Sequence, residues 1–259
     1  MIYDMDLSEK LAQIIACAED LDDYGKFNNG TTMESVIFGT LRKDLHIAND
    51  MNILMRSSSK GLAMIALCRI LIEDYIHLSY LLNSPETPKK LLANINNHPK
   101  IEAYLKAYTV QEWGIDLTEE QVETLAKAKI GFEETKGEFL RYSKESEQFN
   151  PNDYYRTWTK KPLDTVIKES GISAEGNKSE LGLVKQMYDV GSDIIHHNAY
   201  FIWQLSRENL ELIAGALPEA SAAIAISTLA KIVNLALSVK YNDDKESYAL
   251  KLDKLANIL

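Results

Sequence analysis

The amino-acid sequence predicts an all-α fold: a single domain spanning residues 1–259, built as a multi-helix bundle of long antiparallel helices with short accessory ones. Three observations carry this. The six prolines leave 1–84, 100–150 and 163–217 without any. Apolar residues in those stretches recur at i, i+3, i+4 and i+7, the period of one helix face. No segment shows the sustained alternation and hairpin turns of strands. No fixed-period repeat and no low-complexity linker interrupts the chain.

Taken in order, helices are expected near 7–25, 32–56, 59–83, 88–96, 99–112, 119–147, 162–170, 178–206, 207–216, 218–240 and 244–257. Asp6-x-x-Glu9, Thr31-x-x-Glu34, Thr118-x-x-Gln121 and Asn177-x-x-Glu180 resemble capping boxes, in which side chains and backbone N–H groups satisfy each other at a helix start. Pro88, Pro99, Pro162 and Pro218 suit the first helical position, where a missing N–H costs nothing. Gly171 follows PLDTVIKES as a C-terminal cap would. Glu123 and Lys127 are an i,i+4 pair in the favourable order on a solvated face. The stretch 148–161, QFNPNDYYRTWTKK, is the longest irregular one, and its basic and aromatic residues suit either packing over the bundle or stacking on bases. The Ala-rich, nearly uncharged 218–240 reads as a core helix or a homodimer interface.

Composition narrows the function classes. Apolar residues are 46% and charged residues 25%, ordinary for a soluble globular chain. The net charge of −10 argues against a protein that coats nucleic acid over a broad surface, because such binding needs clustered cations. Cys17 and Cys68 lie in apolar helical stretches and read as small buried thiols, not as a disulfide or a metal site. MIYDMDLSEK lacks the basic and apolar regions of a secretory signal. The most apolar stretch, Gly61 to Leu82, contains Arg69, Glu73, Asp74 and His77, which argues against a membrane span. A cytoplasmic protein is the expectation, with no membrane partner and no cofactor motif.

Two helices carry the candidate chemistry. The helix over 59–83 is apolar nearly all round, so it is expected to be buried. Arg69, Glu73 and His77 follow at i, i+4 and i+8 and form one polar stripe on it. Charges buried there need partners, since each unpaired one costs several kcal/mol. Two readings stand: an internal ion pair that fixes helix register, or a site in which Arg69 binds an anion while Glu73 or His77 handles a proton. On the helix over 178–206, Tyr188, Ser192, His196 and Tyr200 follow at i+4 steps, and Asn198 shares the apolar face and needs hydrogen-bond partners. Gly191 would let a neighbouring helix approach closely. Ser192 and His196 are one turn apart, but no strand–turn–helix elbow supports a serine nucleophile. Asp74-x-x-His77 and Asp193-x-x-His196 have the spacing of a di-metal carboxylate bundle, although both Asp residues fall away from the core stripes on a helical wheel.

Three stretches in order, CRILIEDYIHLSYLL, YRTWTKKPLDTVIKESGI and MYDVGSDIIHHNAYFI, resemble a bacterial all-helical family of unknown function. Its pattern is an Arg-x-x-x-Glu helix, a Trp-containing loop and a late Tyr-x-x-x-Ser-x-x-x-His helix. The resemblance covers about 30–205, with 207–259 expected to pack on that part. Lys160 stands where the family's loop often has a small residue. The resemblance implies a site built from Arg69, Glu73, Ser192 and His196; His77, Tyr188, Asn198 and Trp158 are the candidate binding residues beside it. It is distantly similar to HEPN helical bundles, many of which are RNases in toxin or phage-defence systems. That class has an Arg, then four to six intervening residues, then His. Here Asp189, Val190 and Gly191 occupy those places before His196. Two functions follow as expectations: a binding or regulatory protein with a polar cleft for a partner or small anion, or a HEPN-like ribonuclease with His196 as acid/base and Arg69 on phosphate.

Overall fold

The computed structural model describes residues 6–22, 32–56, 61–114, 118–142, 149–172 and 217–259, together with Gly182, Lys185, Tyr188, Asp189, Gly191 and Ser192. Among them are eight α-helices: α1 (Leu7–Asp22), α2 (Met33–Arg56), α3 (Gly61–Asn83), α4 (Pro88–Glu112), α5 (Glu119–Thr135), α6 (Leu163–Glu169), α7 (Leu217–Lys240) and α8 (Lys245–Ala256). No strand occurs among these residues, and the fold is all-α as the sequence predicts. Chain packing divides it into two compact units, Met1–Ser84 with Ile167–Leu259, and Pro85–Val166.

In the first unit α7 packs against α1, α2, α3 and α8. It is a core helix: Ala222, Ala225, Leu229, Ile232, Val233, Ala236 and Leu237 are buried. It is long and apolar enough to cross a membrane by length and composition alone, and those same apolar side chains are what the neighbouring helices bury. On α3, Met64, Ile65, Cys68, Leu71, Ile72, Ile76, Leu78, Tyr80 and Leu81 are buried, on several faces, as the near-continuous apolar pattern requires. Both cysteines are free and buried, and burial pushes the Cys68 thiol up to about 12, which keeps it an inert thiol. Gly171 closes the segment after α6 with φ of 78°, the left-handed cap its position suggests, and Asn83 Nδ2 donates to Ser170 O at 2.9 Å beside it.

The second unit is built on aromatic packing. Ile101 and Leu105 of α4 meet Phe132 of α5, Phe139 and Tyr154, with Tyr104, Phe149 and Tyr155 against them. The Phe132 ring centroid lies 4.5 Å from Tyr104 and 5.0 Å from Tyr154, tilted or edge-on, the arrangements a ring quadrupole favours. The basic–aromatic stretch therefore turns Phe149 and Tyr154 inward. Lys160 adopts φ of 55°, a left-handed conformation that glycine takes without steric cost. Its ammonium lies 4.2 Å from the Phe139 ring centroid.

Several predicted boundaries are corrected. Pro99 does not start a helix. It lies inside a continuous α4, on an exposed position where the one missing donor is tolerated. Pro88, by contrast, is the first residue of α4. The expected 119–147 helix ends at Thr135, passes through a 3-10 turn over Lys136–Phe139, and gives way to an isolated antiparallel bridge between Leu140 and Tyr154. Arg141 N donates to Asp153 O at 2.8 Å and Tyr155 N to Phe139 O at 2.9 Å, so these backbone groups bond across the bridge instead of along a helix. Thr118 and Gln121 form the predicted capping box. Thr31 and Asn177 lie outside the described residues, and a reciprocal pair is made one residue later by Thr32 and Ser35.

Phe132 sits at the centre of the aromatic cluster. Phe132→Ala is expected to destabilise the second unit by about 3–5 kcal/mol, read by urea denaturation followed by circular dichroism; a loss below about 1 kcal/mol would contradict the packing described.

Candidate functional site

The predicted stripe on α3 is real, and its anchor is Arg69. Arg69 Nη1 lies 2.8 Å from Glu73 Oε2, with the two side chains 15% and 30% exposed. The pair forms although Arg preceding Glu is the less favourable order along a helix dipole. Arg69 Nη2 also donates to the Tyr188 hydroxyl at 3.1 Å, and the guanidinium carbon lies 4.8 Å from the Tyr188 ring centroid. One cation thus receives a carboxylate, a hydroxyl and an aromatic ring. Its Nε–H is buried and meets no acceptor among the described residues.

Gly191 explains how Tyr188 reaches α3. A Cβ added at Gly191 would fall 2.5 Å from Arg69 Cβ and 3.2 Å from Ile65 O. No side chain fits there, so backbone rests directly on the Ile65–Arg69 turn. Tyr188, one turn earlier on the same helical stretch, is thereby brought to the guanidinium.

Burial lowers the His77 pKa, and the Lys43 and Arg69 cations add to that effect, while Glu73 and Asp74 oppose it. His77 is thus a neutral imidazole at physiological pH, able to give or take one hydrogen bond at each nitrogen. Burial raises the Tyr188 phenol, and Glu73 adds to the rise while Arg69 opposes it. Tyr188 therefore meets Arg69 as a neutral hydroxyl.

Two residues of α2 join this region and were not foreseen. Asp44 is fully buried. Neither of its carboxyl oxygens meets a hydrogen-bond donor among the described residues. Burial pushes its carboxyl up to about 10, helped by the charge of Asp74, against the pull of Lys43. Lys43 Nζ in turn lies 2.5 Å from Asp74 Oδ2. Asp74 therefore does not point away from the core as the helical wheel suggests: its side chain is 13% exposed and engaged with α2. The signal for Asp44 was present in the sequence, since Ile37, Leu41, Asp44, Ala48 and Met51 share one helix face.

The structure brings Arg69, Glu73 and Tyr188 into one cluster, with His77 in their field. Ser192 is helical and half-buried. His196 and Asn198, like Asp193 and His197, lie outside the described residues. Trp158 belongs to the second unit, in a turn where it is half-buried. Among the described residues no group of three or more His, Cys, Asp or Glu side chains is gathered to hold a metal ion.

The profile of a family of unknown function (DUF5677) matches residues 34–209. The chain belongs to this family. The DUF5677 match takes in α2 through α6 and the residues Arg69, Glu73, Tyr188 and Gly191, and it leaves α1, α7 and α8 outside. No curated protein and no solved structure matches the chain.

Helix propensity alone would make Gly191→Ala stabilising by about 1 kcal/mol. The overlap with Arg69 reverses the sign, and a loss of about 1–3 kcal/mol in urea denaturation is expected. A stabilised variant would show that the close approach is absent.

Proposed function

We propose that this DUF5677 protein is a cytoplasmic binding or regulatory protein that holds a small anion at Arg69. The supporting observation is the buried Nε–H of Arg69, which meets no acceptor among the described residues. A buried donor left without an acceptor costs about 1–3 kcal/mol, and an arginine offers its donors in a rigid planar fork suited to oxyanions. Glu73 and Tyr188 occupy the two terminal nitrogens and hold the fork still. A preset cation on a rigid central helix is what selective binding of a phosphate- or carboxylate-bearing ligand requires, because little side-chain entropy is then lost on binding.

Titration calorimetry with inorganic phosphate and with sulfate tests this on wild type, Arg69→Lys and Tyr188→Phe. Wild type is expected to bind. Arg69→Lys keeps the charge and loses the fork, so its affinity should fall on the order of tenfold or more, while Tyr188→Phe should weaken binding by a smaller factor. Wild type that binds neither ion, or Arg69→Lys that binds as well as wild type, sinks the proposal.

A second reading, HEPN-like RNA cleavage, draws on the same contact. The Arg69–Tyr188 hydrogen bond places the guanidinium against the helical stretch whose Tyr-x-x-x-Ser-x-x-x-His pattern leads to His196. In that reading Arg69 stabilises phosphate and His196 acts as acid/base. Incubation of a structured RNA with wild type and His196→Ala decides it: cleavage by wild type that drops at least about a hundredfold in the variant is expected from general acid–base catalysis, and equal rates remove it.

A further inference from the structure

Lys160 is the one non-glycine among the described residues with a left-handed backbone, at φ of 55°. Its N–H donates to Thr157 O at 3.2 Å and closes a tight turn in which Thr159 is buried. From this turn the side chain reaches back over Phe139, a fully buried ring, and its ammonium lies 4.2 Å from the ring centroid. An aromatic face attracts a cation through its quadrupole but does not neutralise it.

The carboxylates nearby are committed elsewhere. Glu86 lies 2.8 Å from the Lys90 ammonium and 2.9 Å from the Lys161 ammonium, so it holds two cations at once. Glu138 accepts from Asn97 Nδ2 at 3.1 Å. Lys160 pairs with neither, and no ion pair to it occurs among the described residues. It nevertheless lies in the field of both carboxylates and of Lys90: burial lowers its pKa and Lys90 adds to that, while Glu138 and Glu86 oppose it. Three ammonium groups are thus gathered about one carboxylate that contacts two of them.

We propose that Lys90, Lys160 and Lys161 bind the phosphate group of a small phosphate monoester. The three terminal oxygens of a monoester match three ammonium groups, where the Glu86 carboxylate has two oxygens and reaches two. A lysine ammonium binds phosphate as a point charge, without the planar fork that Arg69 offers. Lys160 is the fixed member: its backbone turn and the Phe139 ring already hold the side chain, so little freedom is lost on binding. Glu86 is the internal competitor, which keeps Lys90 and Lys161 together and must share them with the phosphate. The net charge of −10 opposes a long polyanion, which favours a small ligand over nucleic acid. These four residues belong to the second unit and Arg69 to the first, so the proposal does not rest on anion binding at Arg69.

The test is lysine acylation of the full chain by an acetyl succinimidyl ester, followed residue by residue by mass spectrometry, in methyl phosphate, inorganic phosphate or chloride at equal ionic strength. Methyl phosphate is expected to slow the labelling of Lys90, Lys160 and Lys161 severalfold relative to chloride, and to leave Lys127, which pairs with Glu123 on α5, unchanged. In Lys160→Gln the concentration of methyl phosphate that protects Lys90 and Lys161 should rise about tenfold, the worth of one hydrogen bond to a charged group. Glu86→Gln removes the competing charge and should be protected at a lower concentration than wild type. Arg69→Lys should be protected as wild type is, so a failure here and a failure at Arg69 are read separately. Equal labelling in methyl phosphate and chloride overturns the proposal, as does slowing that extends equally to Lys127. Protection by inorganic phosphate alone overturns the esterified ligand. Were Lys160→Gln not to fold, a Glu86→Gln chain that needs as much methyl phosphate as wild type would overturn the proposal equally.

Discussion

A guanidinium on a helix that is apolar on nearly every side has to be compensated, and much of the first unit is arranged around that requirement. The Arg69 side chain is only 15% exposed, and its own helix and a second element bring partners to it. Glu73 supplies a carboxylate one turn along, and Tyr188 arrives because Gly191 removes the side chain that would hold its helical stretch away. A buried pair of this kind gains little over an apolar replacement, since desolvation offsets most of the attraction. What it gains is direction. The cation is fixed in place by groups from two elements, and its Nε–H meets no acceptor among the described residues.

Much of this was legible in the sequence because it rests on period. The stripe Arg69, Glu73 and His77 follows from steps of four on an apolar helix, and the role of Gly191 follows from the loss of a side chain on a packed face. Asp44 was missed for the opposite reason. Among the polar residues of α2 it reads as one more solvated charge, until Ile37, Leu41, Ala48 and Met51 are seen to share its face. The wheel misplaced Asp74 because a single helix does not say where its neighbour lies. Lys43 and Asp44 reach it from α2, and only the packing of α2 on α3 reveals that. Helix ends failed similarly. Pro99 lies on an exposed face that absorbs a missing donor, and the run after Thr135 has helical composition but spends its backbone bonds on the 149–155 segment.

The second unit shows a different balance. Its core is aromatic, its helices expose most of their length, and its loop is held by charge as well as by rings. Glu86 pairs with Lys90 at 2.8 Å and Lys161 at 2.9 Å. Desolvation alone would push the Glu86 carboxyl up, but those two ammonium groups outweigh it and hold it down at about 2. With Lys160 strained over Phe139, the segment carrying Trp158 is tied at both the backbone and the side-chain level.

The placement of α7 has a consequence for how the chain is made. The second unit is continuous in sequence, so every segment it needs has been synthesised once Val166 is added. The first unit has no such freedom. α3 and α7 pack on each other across an intervening stretch longer than the whole second unit, and α7 lies beyond the DUF5677 match. Until Leu217–Lys240 leaves the ribosome, the face of α3 that α7 covers lacks that cover, whereas α2, which also packs on α3, has already been made. Such long-range closure is slow and aggregation-exposed. The segments of the second unit are thus complete in the chain before those of the first, whose core needs α7 from near the C-terminal end of the sequence.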